Sequence, residues 1–474
     1  MVGRTINVVD SRASAIVRQR TGRSPLWWAP LVNGCLAVAA VAIFLTNPGR
    51  RLDFKTFYNA GAHLFHDPAR LYDDYHFYHD LVAFPYRYLP GVAALLYPLS
   101  LLDLRVAFVA WTAGSFSATW WTSKILVAAC EADAEAGGAF TSVPRETVTR
   151  HARLYLLLPA HAANFVLGQV DAFAGLLLLL GFRALGEERN ARAGLFLGAA
   201  VAVKPVFLVV APFLVSFDRL VRRGERADEL RRAGKALAGA AIPLGMAVLP
   251  FVLSPGLFGG FLKVNFSRIQ TSHSFSLTQV ILSSIFLAGM DGNDYATATL
   301  LAVAGPALAV ALWAHVRSPP SKSPGGLARY LLRALAGTWL LFVAYYDAWG
   351  HHLVYAAPVV TLVLLMLPGG QWSGSAGADG GRSSRGGTGA GGEGAPAWGG
   401  AGRENGSKTC PQDRPPNLQR VASRAWFALN LTFWTMYLYL LNPWFLLVNL
   451  VNTGLVLVLF GAWVAGVLNG PAEK

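Results

Sequence analysis

Long apolar runs dominate this chain, and few polar residues separate them. The first run extends from Pro25 to Leu45. Others lie at 89–104, 106–129, 154–167, 170–186, 193–216, 236–253, 296–316, 329–346, 352–368, 424–441 and 444–466. Most approach the roughly 20 apolar residues that a helix needs to cross a bilayer core. Two places are ambiguous. The pair 154–167 and 170–186 is short for two crossings. The stretch 275–290 is apolar but interrupted by polar residues, so it fits a span, a re-entrant segment or an interfacial helix. The runs are continuous rather than alternating, which argues against a barrel. The pattern therefore predicts an all-α integral membrane protein, a polytopic bundle of about 11–13 transmembrane helices.

Composition agrees. Of 474 residues, 54% are hydrophobic and only 14% are charged, and the mean hydropathy is +0.41. A soluble protein carries about a quarter charged residues. The net charge of +14 would suggest nucleic acid in a soluble protein. Here Lys and Arg gather in short segments beside apolar runs, which is the signature of cytoplasmic loops. No basic–aromatic module supports a nucleic-acid partner. The scattered Cys35, Cys130 and Cys410 suggest neither a disulfide framework nor a metal cluster.

Charge also sets an expected topology. Residues 1–24 carry Arg4, Arg12, Arg18, Arg20 and Arg23 and read as a cytoplasmic basic tail; no cleavage site follows the first run. The stretch 46–88 is then a long first extracytoplasmic loop, rich in aromatic residues, Asp and His. The segment 218–235 holds seven Lys and Arg residues and reads as a cytoplasmic loop, as does 317–329. On this count 254–295 is an external excursion, and "YYDAWGHH" (345–352) shares a membrane face with Asp53. Residues 369–423 are Gly/Ser-rich and read as a disordered cytoplasmic loop. The expected division is a tail at 1–24, a membrane catalytic region at 25–368, that loop, and a C-terminal transmembrane hairpin at 424–474.

Ionisable groups in or beside membrane spans are costly and so mark candidate sites. Asp53 opens "DFKTFYNAGAHLF". Phe54, Phe57, Tyr58, Ala62 and Phe65 recur at helical spacing there, as in an amphipathic helix lying on the membrane. Asp53 could cap that helix, serve as a base, or do both. Lys204 lies deep in "GLFLGAAVAVKPVFLVVAPFLV", before a proline that breaks the helix. It suits either a freed backbone carbonyl or a substrate phosphate. His351 and His352 sit at the mouth of a span. Neighbours on a helix point about 100° apart, so both cannot easily face one metal. "NFVLGQVDAF" (164–173) contributes Gln169 and Asp171. The segment 265–277 contributes Arg268 and His273 as anion ligands. One carboxylate, a buried cation and histidines in a membrane cavity suit a substrate that is half lipid and half sugar phosphate. No Walker motif, dinucleotide fingerprint or HExxH sequence occurs. No cofactor or metal is expected.

These stretches resemble glycosyltransferase family 87, the polyprenyl-phosphate-mannose-dependent α-1,2-mannosyltransferases of the GT-C fold. The resemblance rests on "LDFKTFYNAGAHLFHDPARLYDDYHF" (52–77), "FPYRYLPGVAALLYPLSLL" (84–102), "LGQVDAFAGLLLLLG" (167–181), "GLFLGAAVAVKPVFLVVAPFLV" (194–215) and "AWGHHLVYAAPVV" (348–360), in that order. It implies a catalytic aspartate in the first large loop, matched by Asp53. It also implies a polyprenyl-phosphate sugar donor, a glycolipid or glycan acceptor and an inverting transfer at the extracytoplasmic face of the plasma membrane. Lys204 matches the family's lysine before proline, and His351 and His352 match its histidine pair. Three positions depart from the pattern. Asp171 stands where asparagine is usual, Gly350 where an acidic residue is common, and Arg87-Tyr88-Leu89 where Tyr-Pro-Pro is common. A transferase of lipid-phosphate arabinofuranose would look similar. A transporter or flippase would carry paired broken helices, and only the Lys-Pro break is visible. A scaffold without catalysis is encouraged only by the Gly-rich loop.

Overall fold

Among the described residues, prolines and one tight glycine turn punctuate a chain that is otherwise almost wholly helical. The structure, a computed structural model, describes residues 26–48, 53–73, 77–78, 81–82, 85–135, 140–141, 143–215, 217–221, 223–266, 276–288, 290, 292–317, 342–344, 352–366, 424–426, 428 and 445–468. Helix α1 (Ala29–Thr46) matches the first apolar run, and α2 (Asp53–His66) follows it. Two two-residue strands, Phe77–Tyr78 and Leu81–Val82, pair antiparallel in the loop beyond. Then come α3 (Pro90–Ser100), α4 (Leu104–Glu135), α5 (Arg145–Leu156), α6 (Pro159–Leu167), α7 (Asp171–Gly186) and α8 (Asn190–Val203). A 3₁₀ segment, Pro205–Leu214, leads to α9 (Phe217–Val221), α10 (Arg223–Leu253) and α11 (Gly256–Phe266). The remaining described helices are α12 (Leu277–Leu287), α13 (Gly292–Arg317), α14 (Leu353–Met366) and α15 (Phe445–Leu468). Proline opens α3, α6 and the 3₁₀ segment, where its missing N–H costs no hydrogen bond.

Among the described residues, α1 and α10 are long and apolar enough to cross a membrane, and α3 with α4 would make a third, bent by 118°. The other apolar runs are divided. The run 193–216 becomes α8, an extended residue at Lys204 and the 3₁₀ segment. The pair 154–167 and 170–186 becomes the end of α5, then α6 and α7. Breaks at Pro159, Gly168 and Pro205 shorten each element without removing its apolar character. The tail 1–24, the loop 369–423 and most of the runs 329–346 and 424–441 lie outside the described residues. Leu31, Val38, Leu95, Leu237 and Val252 are each exposed by 65% or more. Such faces suit hydrocarbon rather than water.

Two expectations gain detail. The basic segment 218–235 is helical: α9 and the first turns of α10 lie in it. At 31 residues, α10 is about 46 Å long, so its basic end can stand clear of the apolar core. Helix α2 buries its first turns in protein. Phe54 and Phe57 are buried, while Phe65 is 55% exposed. The first two turns are docked into protein because Phe54 packs against Phe108 and Trp111, at ring centroid distances of 5.1 and 5.9 Å.

Two apolar cores result. One joins α4, α5, α7, α8 and α14 around Tyr155, Leu179, Phe182 and Tyr355. The other lies beneath α2, around Phe44, Phe54, Phe57, Phe108 and Trp111. Phe173 and Val203 pack against both. Helices α8 and α10 approach closely through small residues: a Cβ at Gly239 would lie 2.0 Å from the Ala191 carbonyl oxygen. Buried polar ties cross between helices. Asn33 donates to the Leu156 carbonyl at 2.8 Å, Ser123 to the Ala152 carbonyl at 2.9 Å, and Asn164 to Ser115 Oγ at 2.8 Å.

Candidate active site

The seam between the two cores holds the polar residues, and one short turn organises them. Helix α6 ends at Leu167, and Gly168 takes φ 68°, ψ 42°. That left-handed conformation favours glycine. It lets the Gln169 N–H bond the Asn164 carbonyl at 3.0 Å. Space makes the same demand, since a Cβ on Gly168 would lie 2.5 Å from Phe54 Cβ. The start of α2 is thereby held against the turn.

Gln169 exploits that approach. Its Nε2 donates to Asp53 Oδ2 at 2.5 Å. Its Oε1 accepts from the Tyr88 hydroxyl at 3.3 Å. Gln169 is buried and Asp53 half-buried, so the carboxylate is oriented from the protein side. Asp53 is also the first residue of α2, where the helix dipole favours a negative charge.

Two residues along the turn, Asp171 begins α7. It is fully buried and forms an ion pair with Lys204. Lys204 is the extended residue that ends α8, at φ −136° and ψ 98°. Helices α7 and α8 form an antiparallel hairpin, so the start of one and the end of the other meet at its open end. Asp171 faces the positive end of its helix and Lys204 the negative end of its own, so both charges are favoured twice. Lys204 Nζ also stands 5.5 Å from the Tyr355 ring centroid. The His352 ring lies 5.5 Å from that of Tyr355.

A second buried lysine stands in the first turn of α2. Lys55, two residues after Asp53, is only 1% exposed, and its Nζ has no hydrogen-bond partner among the described residues. Burial pulls its ammonium below the usual lysine value. One turn on, Asn59 is also buried, and its Nδ2 has no partner.

Of the residues expected from sequence, the structure joins Asp53 to Gln169 and places Lys204 and His352 against Tyr355, with the turn at 168–171 between the two groups. His351 and Arg268 lie outside the described residues. Sequence reasoning did not single out Tyr88, Tyr355 or Lys55, and it did not pair Asp171 with Lys204. The turn "LGQVD" was a fair signal for the pairing, since it puts a carboxylate at a helix start inside an apolar stretch. Among the described residues, no three His, Cys, Asp or Glu side chains converge as a metal site.

No curated protein and no solved structure matches this chain. The family model for glycosyltransferase family 87 matches residues 86–343, more than half of the 474 residues. Tyr88, Gln169, Asp171 and Lys204 fall inside the match; Asp53 and His352 fall outside it. Four matched side chains therefore build the seam into which the start of α2 and the start of α14 bring their own. The chain belongs to glycosyltransferase family 87.

Proposed function

We propose that this glycosyltransferase moves a sugar, mannose in the first instance, from a polyprenyl-phosphate donor to a hydroxyl of a lipid or glycan acceptor. The transfer takes place at the extracytoplasmic face, within a GT-C-type polytopic bundle. Asp53 is the general base. Its carboxylate takes the proton of the acceptor hydroxyl as that oxygen attacks the anomeric carbon. The bond from that carbon to the phosphate oxygen breaks, the polyprenyl phosphate leaves with the electron pair, and configuration inverts. Gln169 holds the base in place, which makes the encounter effectively intramolecular. Lys204 and His352 contact the donor from the hairpin end, and Arg268 and His351 belong to the same proposed set. No metal ion is required by this scheme, because cationic side chains can stabilise the leaving phosphate.

The observation that carries the reading is the hydrogen bond from Gln169 to Asp53. It joins a first-loop carboxylate to a turn inside the matched region, in a seam bounded by aromatic rings. The test is transfer by purified protein in nanodiscs, with radiolabelled polyprenyl phosphomannose and a lipid-extract acceptor. Labelled product from wild type supports the reading. No product from mannose but product from a lipid-phosphate pentose keeps the transfer and changes the sugar. No product from any lipid-phosphate sugar would sink it.

A further inference from the structure

A leaving phosphate needs positive charge that is not already spent. Lys204 is the buried cation that the sequence makes conspicuous, but its charge is met by Asp171 within an ion pair. That pair is close to neutral as a unit and suits sugar hydroxyls better than a phosphoryl group. Lys55 is different. It is buried to 1% exposure, its ammonium has no hydrogen-bond partner, and no carboxylate pairs with it among the described residues. Burying a cation without a partner is expensive, and a fold seldom keeps one without a use.

The surroundings fit a ligand rather than an accident. Asn59 lies one turn along the same face of α2, and its buried Nδ2 also lacks a partner. Residues four apart on a helix are neighbours. The two donors therefore stack along one stripe. Helical side chains lean toward the N-terminus, so the Lys55 stem runs toward the Asp53 end of α2. Asp53 is held there by Gln169. A cation and an amide donor, both lacking acceptors and both on the helix that the proposed base begins, make a half-built site for a group that carries acceptors and negative charge.

We propose that Lys55 and Asn59 bind the phosphoryl group of a lipid phosphate, Lys55 as counter-charge and Asn59 as second donor. This rests on the donor reading above, yet the anion site can be tested without sugar transfer. The phosphoryl group can come from the sugar donor and its released polyprenyl phosphate, or from the headgroup of a resident phospholipid.

The experiment measures binding of a sugar-free polyprenyl phosphate to the full-length protein in phosphatidylcholine nanodiscs, by proximity counting and by thermal shift. Phosphatidic acid serves as competitor. Lys55→Met, Lys55→Arg and Asn59→Ala are compared with wild type. Lys55→Met should lower the affinity about ten- to a hundredfold, the size of a lost charge-assisted hydrogen bond. It should abolish the ligand-induced rise in Tm. Lys55→Arg should restore most of the binding. Asn59→Ala should weaken it by less. Without ligand, Lys55→Met should melt no lower than wild type, because an unpartnered buried charge has gone.

Unchanged binding in Lys55→Met, with a lower Tm in the ligand-free protein, would overturn the site and make Lys55 a structural residue. Lys55-dependent binding in a wild type that transfers no sugar leaves the anion site standing while the transfer reading falls. Sugar transfer with the same KM for the donor in wild type and Lys55→Met has the reverse meaning. Phosphatidic acid binding through Lys55 without competition from polyprenyl phosphate keeps the site and assigns it to a resident lipid.

Discussion

Lys204 and Lys55 are both buried lysines at helix ends, and they differ in one respect. Lys204 has a carboxylate, and Lys55 has none among the described residues. The pair at the hairpin's open end is complete in itself and fixes where α7 begins and α8 ends. The start of α2 is incomplete, with a half-buried carboxylate, a buried ammonium and a buried amide gathered within two turns. The difference teaches that burial of charge alone does not identify a binding group. Whether the charge is already compensated separates a lysine that first holds the fold, and meets a ligand only through its ion pair, from one that waits for a ligand's charge.

If the two ends divide the work in this way, activity and stability should separate under mutation. The largest effect belongs to the α2 end. Asp53→Asn should lower kcat by about 10²- to 10⁴-fold, the usual contribution of a general base. Its melting temperature should stay close to wild type, as read by nanodisc transfer and fluorescence-detected unfolding. A mutant that transfers at the wild-type rate would leave Asp53 as a helix cap only. Lys204→Met should act in the opposite order, because it strands Asp171 in the core. A stability loss of about 3–5 kcal/mol is expected from breaking such a pair, measured by denaturant titration in detergent. Removing both charges, as Lys204→Met with Asp171→Leu, should recover most of that loss; no recovery would mean that the pair is not what Lys204 contributes.

Smaller effects sharpen the boundary between the ends. Gly168→Ala forces a Cβ into the left-handed region, at about 1–2 kcal/mol, and against Phe54. It should lower stability and transfer together, because one turn serves both ends. Lys55→Met should be the mirror of Lys204→Met, with the ligand-free protein gaining on the order of 1 kcal/mol as an unsatisfied buried donor is removed. Equal losses in the two lysine mutants would erase the distinction. Tyr88→Phe removes one neutral hydrogen bond to Gln169. It should cost about 0.5–1.5 kcal/mol of transition-state stabilisation, seen as a modest fall in kcat/KM.

Much of this was legible in the residues. The apolar runs announce a helical membrane protein, and the polar positions in and beside them single out Asp53, Gln169 and Lys204 as candidates. Where the runs break was partly visible in Pro159, Gly168 and Pro205. Helix α2 shows the limit of pattern. Its apolar spacing sets Lys55 on the face turned away from Phe54 and Phe57, as if toward water or headgroups. Docking of the first two turns into protein buries that face as well, and periodicity within one helix carries no record of what covers its far side. Tyr88 and Tyr355 were equally silent. Aromatic residues are common in such chains, and only the fold brings one to Gln169 and the other to Lys204. The partner of Lys204 was missed for a related reason. Helical spacing does not connect positions 171 and 204, whereas a hairpin closed at residues 187–189 does.

That hairpin has a consequence for how the chain enters a bilayer. A lone Asp or Lys in an inserting apolar segment is opposed, by about 2.5–3.5 kcal/mol on translocon scales at a helix centre and by less toward its ends. Released singly, α7 would carry an unneutralised acid and α8 an unneutralised base. Together, with only a short connection between them, the two bring Asp171 and Lys204 side by side as soon as residue 204 is synthesised. For this hairpin, therefore, the smallest unit that can pass into lipid with both buried charges compensated is the pair of helices, inserted together.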